Sequence, residues 1–96
     1  MKVVGADILV QAQRDHASAR KRLAAWKAEV EVACWRTFQD VRERFPTVDR
    51  VGKRYVFDIG GNRYRLITSI DFTVGLVRIR WFGTHAEYDK LDVEGV

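Results

Sequence analysis

One cysteine, one proline and two histidines are all that this chain of 96 residues holds of three residue types that commonly build special sites. A lone Cys34 excludes an internal disulfide and any multi-cysteine zinc centre. It lies where a helical apolar stripe would place it, and is expected as a small buried residue. His16 and His85 lie too far apart in the chain to make a metal pair on one helix, so no metal and no cofactor are expected. No stretch approaches the roughly 18 apolar residues that a bilayer span needs. The opening MKVVGADILVQAQRD lacks the charged, then apolar, then small-residue succession of a signal peptide. No membrane partner is implied, and a cytoplasmic location is expected. Repeats, low-complexity tracts and flexible linkers are missing as well, and the length suits one domain over 1–96 with one core.

What is present is alternation. From Asn62 to Phe72, the residues Tyr64, Leu66, Thr68, Ile70 and Phe72 point one way and Arg63, Arg65, Ile67, Ser69 and Asp71 the other. Leu76 to Phe82 repeats the pattern, with Val77, Ile79 and Trp81 on the core side and Arg78, Arg80 and Phe82 opposite. A third strand, Arg54 to Ile59, precedes them through Gly60-Gly61, a dipeptide suited to a two-residue turn. Such a turn pairs Phe57 with Tyr64 and Asp58 with Arg63. A two-residue loop at Val74-Gly75 pairs Ile70 with Ile79, Thr68 with Trp81 and Asp71 with Arg78. Both hairpins then present one apolar and one basic face, which predicts a three-stranded antiparallel meander.

The first half reads as helices. Met1 to Val4 is a candidate edge strand ended by Gly5, and Asp7 is placed to cap a helix running to about Asp15. Ser18 offers a second cap, before Leu23, Trp26, Val30 and Ala33 recur at helical spacing. The other side of that helix carries Arg20, Lys21, Arg22 and Lys27, read as a solvated face. Thr37 with Asp40 opens a third helix that Pro46 stops. Val48 to Gly52 is taken as a connector. Helices first and a meander after them define an α+β fold, with the helices packed on one sheet face.

Charge is unevenly placed. Residues 1–48 net +3, residues 49–80 net +4 and residues 81–96 net −3 within an overall +4. The basic block coincides with the alternating strands, so its arginines concentrate on a sheet face. Beyond the last strand, Thr84-His85-Ala86-Glu87 has capping-box spacing and predicts a short helix. On it His85, Tyr88 and Asp89 share a face at the edge of the basic surface.

These residues carry a resemblance. Asn62-x-Tyr64-Arg65-Leu66, then Arg80 with an aromatic pair after it, then the string from Gly83 to Asp92, GTHAEYDKLD, resemble the HigB family of type II toxin-antitoxin toxins, within the RelE/ParE superfamily. The resemblance extends over nearly the whole chain, including Ala33-Cys34-Trp35 and Phe45-Pro46. It implies a RelE-like antiparallel sheet and a small cytoplasmic mRNA endonuclease acting on ribosome-associated transcripts. It also implies inhibition by a HigA-like antitoxin with a helix-turn-helix domain.

A ribonuclease that uses no metal needs a group to take the 2′-OH proton, a group to protonate the leaving 5′-oxygen, and cations around the phosphorane. Imidazole is the side chain that titrates near neutrality, which assigns acid/base work to His85. Arg65 and Arg80 are the expected phosphate clamps, because a guanidinium fork holds two phosphate oxygens and stays charged. Tyr88 completes the catalytic set by positioning substrate. Lys53, Arg54, Arg63, Arg78 and Phe82 form the expected RNA-binding surround, with Phe82 as a base-stacking ring. Arg63 and Arg78 are weaker members, since Asp58 and Asp71 stand opposite them in the expected register. Two other readings compete: a ParE-like inhibitor of DNA gyrase on the same fold, and an RNA-binding module that cuts nothing.

Overall fold

A computed structural model describes residues 1–96. Strand β1, Lys2–Val4, ends at Gly5, whose φ of 92° turns the chain straight into helix α1, Ala6–Asp15. Asp7 therefore lies inside the first helical turn, and the helix has no side-chain cap. Ser18 does not cap either. It sits in a 3₁₀ turn, Ala17–Ala19, and its hydroxyl pairs with the Tyr64 hydroxyl at 2.6 Å. Helix α2, Arg20–Val32, then buries Leu23, Trp26 and Val30 as their spacing predicts. Ala33 leaves the helix with extended backbone, so the apolar stripe stops one residue before Cys34, and that thiol is exposed instead of buried. Helix α3, Phe38–Arg44, starts in the expected capping box of Thr37 and Asp40.

The meander forms, inside a larger sheet. Strands β3 (Arg54–Ile59), β4 (Tyr64–Asp71) and β5 (Leu76–Thr84) are antiparallel neighbours. β1 adds parallel to β5 at one edge, and β2, Asp49–Val51, adds to β3 at the other, giving the order β1-β5-β4-β3-β2. β2 lies where a plain connector was expected. Three mostly exposed residues carry no alternation to reveal a strand.

Register differs from expectation in two ways. Both turns take four residues, not two: Gly60 to Arg63, with positive φ at Gly60 and Gly61, and Phe72 to Gly75. Phe57 consequently faces Leu66 and Asp58 faces Arg65, while Ser69 faces Arg78 and Ile70 faces Val77. A shift of two leaves every side chain on its expected face. The second difference does not. Between Ile67 and Thr68 the register with β5 slips, so that Thr68 pairs with Ile79, Ile67 with Trp81 and Leu66 with Phe82. Arg80 is the extra residue of a β-bulge, and beyond it the faces exchange.

Helices α1 to α3 cover one face of the sheet. The core there joins Leu9, Leu23, Trp26, Val30 and Val41 to Tyr55, Phe57, Ile59, Leu66, Val77 and Ile79. Phe57 is its centre, edge-on to Trp26 at 5.4 Å and to Phe45 at 5.2 Å. Trp26 is buried with its indole N–H unpaired, an outlay the aromatic packing has to offset. Val56 and Ile67, 2% and 0% exposed, lie outside that core on the opposite face.

Candidate active site

The face opposite the helices carries Arg54, Asp58, Arg65, Arg80 and, because of the bulge, Trp81. Arg65 is held from several sides. Its Nε lies 3.2 Å from the Asp58 carboxylate, one terminal nitrogen donates to Asn62 Oδ1 at 2.6 Å, and the other donates to the Tyr64 carbonyl at 3.1 Å. With only 11% of its side chain exposed, the guanidinium is anchored by these partners. Its carbon lies 5.8 Å from the centre of the Tyr88 ring. The cross-strand partner of Arg65 is Gly83, which lacks a side chain and gives its space to Trp81: a Cβ at position 83 would run into that indole. Trp81 in turn meets Tyr88 at 6.5 Å between ring centres.

Helix α4, His85–Asp89, delivers the next two groups. Thr84 and Glu87 close the expected capping box: the Thr84 amide donates to Glu87 at 2.8 Å and the Glu87 amide to the Thr84 hydroxyl at 3.2 Å. Those bonds from Thr84 hold the Glu87 carboxyl below its ordinary range. The His85 amide donates to the carbonyl of Arg63 at 2.9 Å, tying the start of α4 to the β3–β4 turn. His85 Nδ1 lies 2.9 Å from Asp89 Oδ2, the pair that helical spacing puts together. A carboxylate on Nδ1 keeps the proton there and leaves Nε2 as the nitrogen free to exchange protons. Burial pushes the Tyr88 phenol up, with Asp49 adding to the rise and Arg65 opposing it. Tyr88 thus keeps its proton at neutral pH.

The structure regroups the other candidates. Arg80 does not join Arg65. Its Nε donates to the main-chain oxygen of Val96 at 3.2 Å, and Arg54 Nε donates to the same oxygen at 2.8 Å. Arg63 and Arg78 are exposed and form no ion pair, because the four-residue turns move Asp58 to Arg65 and Asp71 to Leu76. Asp71 instead caps its own turn, accepting from the amides of Thr73 and Val74 at 3.0 and 3.2 Å. Lys53 is exposed in the β2–β3 turn. Phe82 is not on the basic face: the bulge turns it to the helix side, stacked on Tyr64 at 5.3 Å and edge-on to His16 at 5.5 Å. Trp81 takes the place expected for it. A period-two reading misses this exchange, since a bulge is invisible to alternation. The bond from Arg65 to Asn62 and the contact of Val96 with Arg54 and Arg80 have no signal in the sequence, as only the fold brings these residues to the arginines.

A mixed five-stranded sheet with helices on one face and a basic opposite face, ended by a short helix, is a RelE-like α+β fold. The sequence agrees. Residues 19–91 match the HigB toxin family, described as the RelE-like toxic component of a toxin-antitoxin system, and the chain belongs to that family. Over 58 residues it is 40% identical to the mRNA interferase HigB of Escherichia coli O6:H1. That alignment covers 57% of this chain and 56% of the relative, so the chain spans little more than half the length of the curated relative it matches.

Proposed function

We propose that this chain is an mRNA endoribonuclease, the toxin of a type II toxin-antitoxin pair, which cuts ribosome-associated transcripts and is neutralised by a HigA-like helix-turn-helix antitoxin. The observation that carries the reading is the His85–Asp89 pair at the rim of an arginine-bearing sheet face, beside Arg65 and Tyr88. Family membership and the named activity of the Escherichia coli relative support it.

In this reading the ribose 2′-oxygen attacks the adjacent phosphorus, His85 Nε2 accepts the 2′-OH proton, and the P–O5′ bond breaks as the departing oxygen takes a proton from water, His85 then returning its own proton to solvent. The products are a 2′,3′-cyclic phosphate and a 5′-OH end. Arg65, already fixed by Asp58 and Asn62, faces the extra charge of the phosphorane with little reorganisation. Tyr88, protonated and packed against Arg65, positions the nucleotide by hydrogen bonding and contact. Arg54, Lys53, Arg63 and Arg78 supply positive potential along the strand, and Arg80 a second phosphate contact.

The test is direct. Purified protein added to translating ribosomes is expected to leave mRNA fragments with cyclic phosphate and 5′-OH ends, and His85→Ala is expected to abolish them while keeping the wild-type melting curve. Intact mRNA with the wild-type chain, alongside loss of gyrase supercoiling in a parallel assay, would reject the nuclease reading in favour of a ParE-like one.

A further inference from the structure

The Val96 oxygen accepts from Arg54 on β3 at 2.8 Å and from Arg80 on β5 at 3.2 Å, and β4 lies between those strands. The segment after α4 therefore crosses the open sheet face above β4. A second contact holds it there: Glu94, in the 3₁₀ turn Val93–Gly95, packs so closely on Gly52 of the β2–β3 turn that a Cβ at 52 would collide with its carboxylate. Gly52 leaves the room this contact needs. The charges are opposite: the strap, residues 91–96, carries two carboxylates, Asp92 and Glu94, and no basic side chain, and it lies on a block, residues 49–80, of net +4.

Two guanidinium groups converging on one oxygen from different strands make the donor arrangement that a phosphodiester oxygen takes. We propose that the Arg54–Arg80 cradle is a phosphate subsite for the RNA backbone, and that the strap 91–96 occupies it in the free protein. The proposal rests on the RNA-cleavage reading and adds self-occlusion to it. Arg65 and His85 handle the scissile phosphate, while the neighbouring phosphate must displace the strap to reach Arg54 and Arg80. Affinity for RNA is then lowered by the fraction of molecules with the strap in place.

The strap is loosened without shortening the chain by the triple substitution Val93→Gly, Glu94→Ser and Val96→Ser. Fluorescence anisotropy is read with a single-stranded RNA bearing 2′-O-methyl sugars, which binds and is not cut. The variant is expected to bind about fivefold more tightly than the wild-type chain, as for a strap seated in about four molecules of five. Equal or weaker binding by a folded variant overturns the proposal. The wild-type chain provides a second readout that needs no variant: saturating 2′-O-methyl RNA is expected to speed amide hydrogen exchange in residues 91–96, and unchanged exchange there while RNA is bound overturns it. Cleavage of mRNA by a wild-type chain whose strap stays protected leaves the nuclease reading standing and removes the strap. A chain that neither binds nor cuts RNA removes both.

Discussion

Arg65 illustrates how a guanidinium is held in place from several sides. Asp58, Asn62 and the Tyr64 carbonyl take donors on its inner side, and Tyr88 lies on one face. Arg65→Lys keeps the charge and loses the fork, so cleavage is expected to fall by about a hundredfold or more with little change in melting temperature, measured as kcat in a ribosome-dependent assay. Asp58→Asn leaves Arg65 in place but less constrained, and is expected to lower kcat more than it raises KM. Asp89→Asn removes the carboxylate that holds the His85 tautomer. About tenfold loss of kcat is expected, at the low end for such supporting groups because the pair is well exposed. Of these residues, the places of Arg65 on the basic face and of His85 at its edge were legible from alternation and from the capping string. Asn62 was not, since nothing in a turn sequence says which side chain its amide will reach.

At the scale of elements, the capping boxes and the bulge decide most. Thr84→Ala removes the cap of α4 and is expected to destabilise the helix by about 1 kcal/mol, read by chemical denaturation, and to reduce cleavage through misplacement of His85. Glu87 and Asp40 are both held below their ordinary range, by backbone amides of Thr84 and of Arg36 respectively. A depressed folded-state pKa gives stability that is present above the unfolded value and is lost as pH falls through the folded one. Melting temperature is therefore expected to drop as pH is taken below the ordinary carboxylate range, with Glu87→Gln flattening that slope. Tyr88 carries the opposite sign. Its raised phenol costs stability only as pH climbs above the ordinary tyrosine value of 10.0. The strands show why some of this was readable: a two-residue register error preserves facing, so the basic face survived it, whereas one bulged residue at Arg80 moved Phe82 into the core and Trp81 out.

For the whole molecule, one aromatic core on the helix side supports a separate surface on the other. Phe57, 1% exposed and packed between Trp26 and Phe45, ties α2, α3 and the sheet together. Phe57→Ala is expected to remove about 3–5 kcal/mol. Against a total of about 5–15 kcal/mol, that is enough to shift a urea midpoint severely or unfold the chain. Gly83→Ala acts from the other face. The added methyl meets the Trp81 indole, and an overpacking cost of about 1–3 kcal/mol is expected together with weaker cleavage, since Trp81 packs beside Tyr88.

Alternation, helical spacing, paired capping residues and the concentration of arginines in 49–80 are local properties, and they sufficed for an α+β chain with three meander strands, a basic sheet face and His85 at its edge. They are written in periods of two and of three to four residues, which short-range sterics enforce. The pairing of Arg65 with Asp58, the exchange of Trp81 for Phe82, and the strap that places Val96 on Arg54 and Arg80 depend on turn length, one extra residue and a contact 42 positions apart in the chain. Those were decided only when the strands packed, because register and long-range contact are set by which surfaces meet.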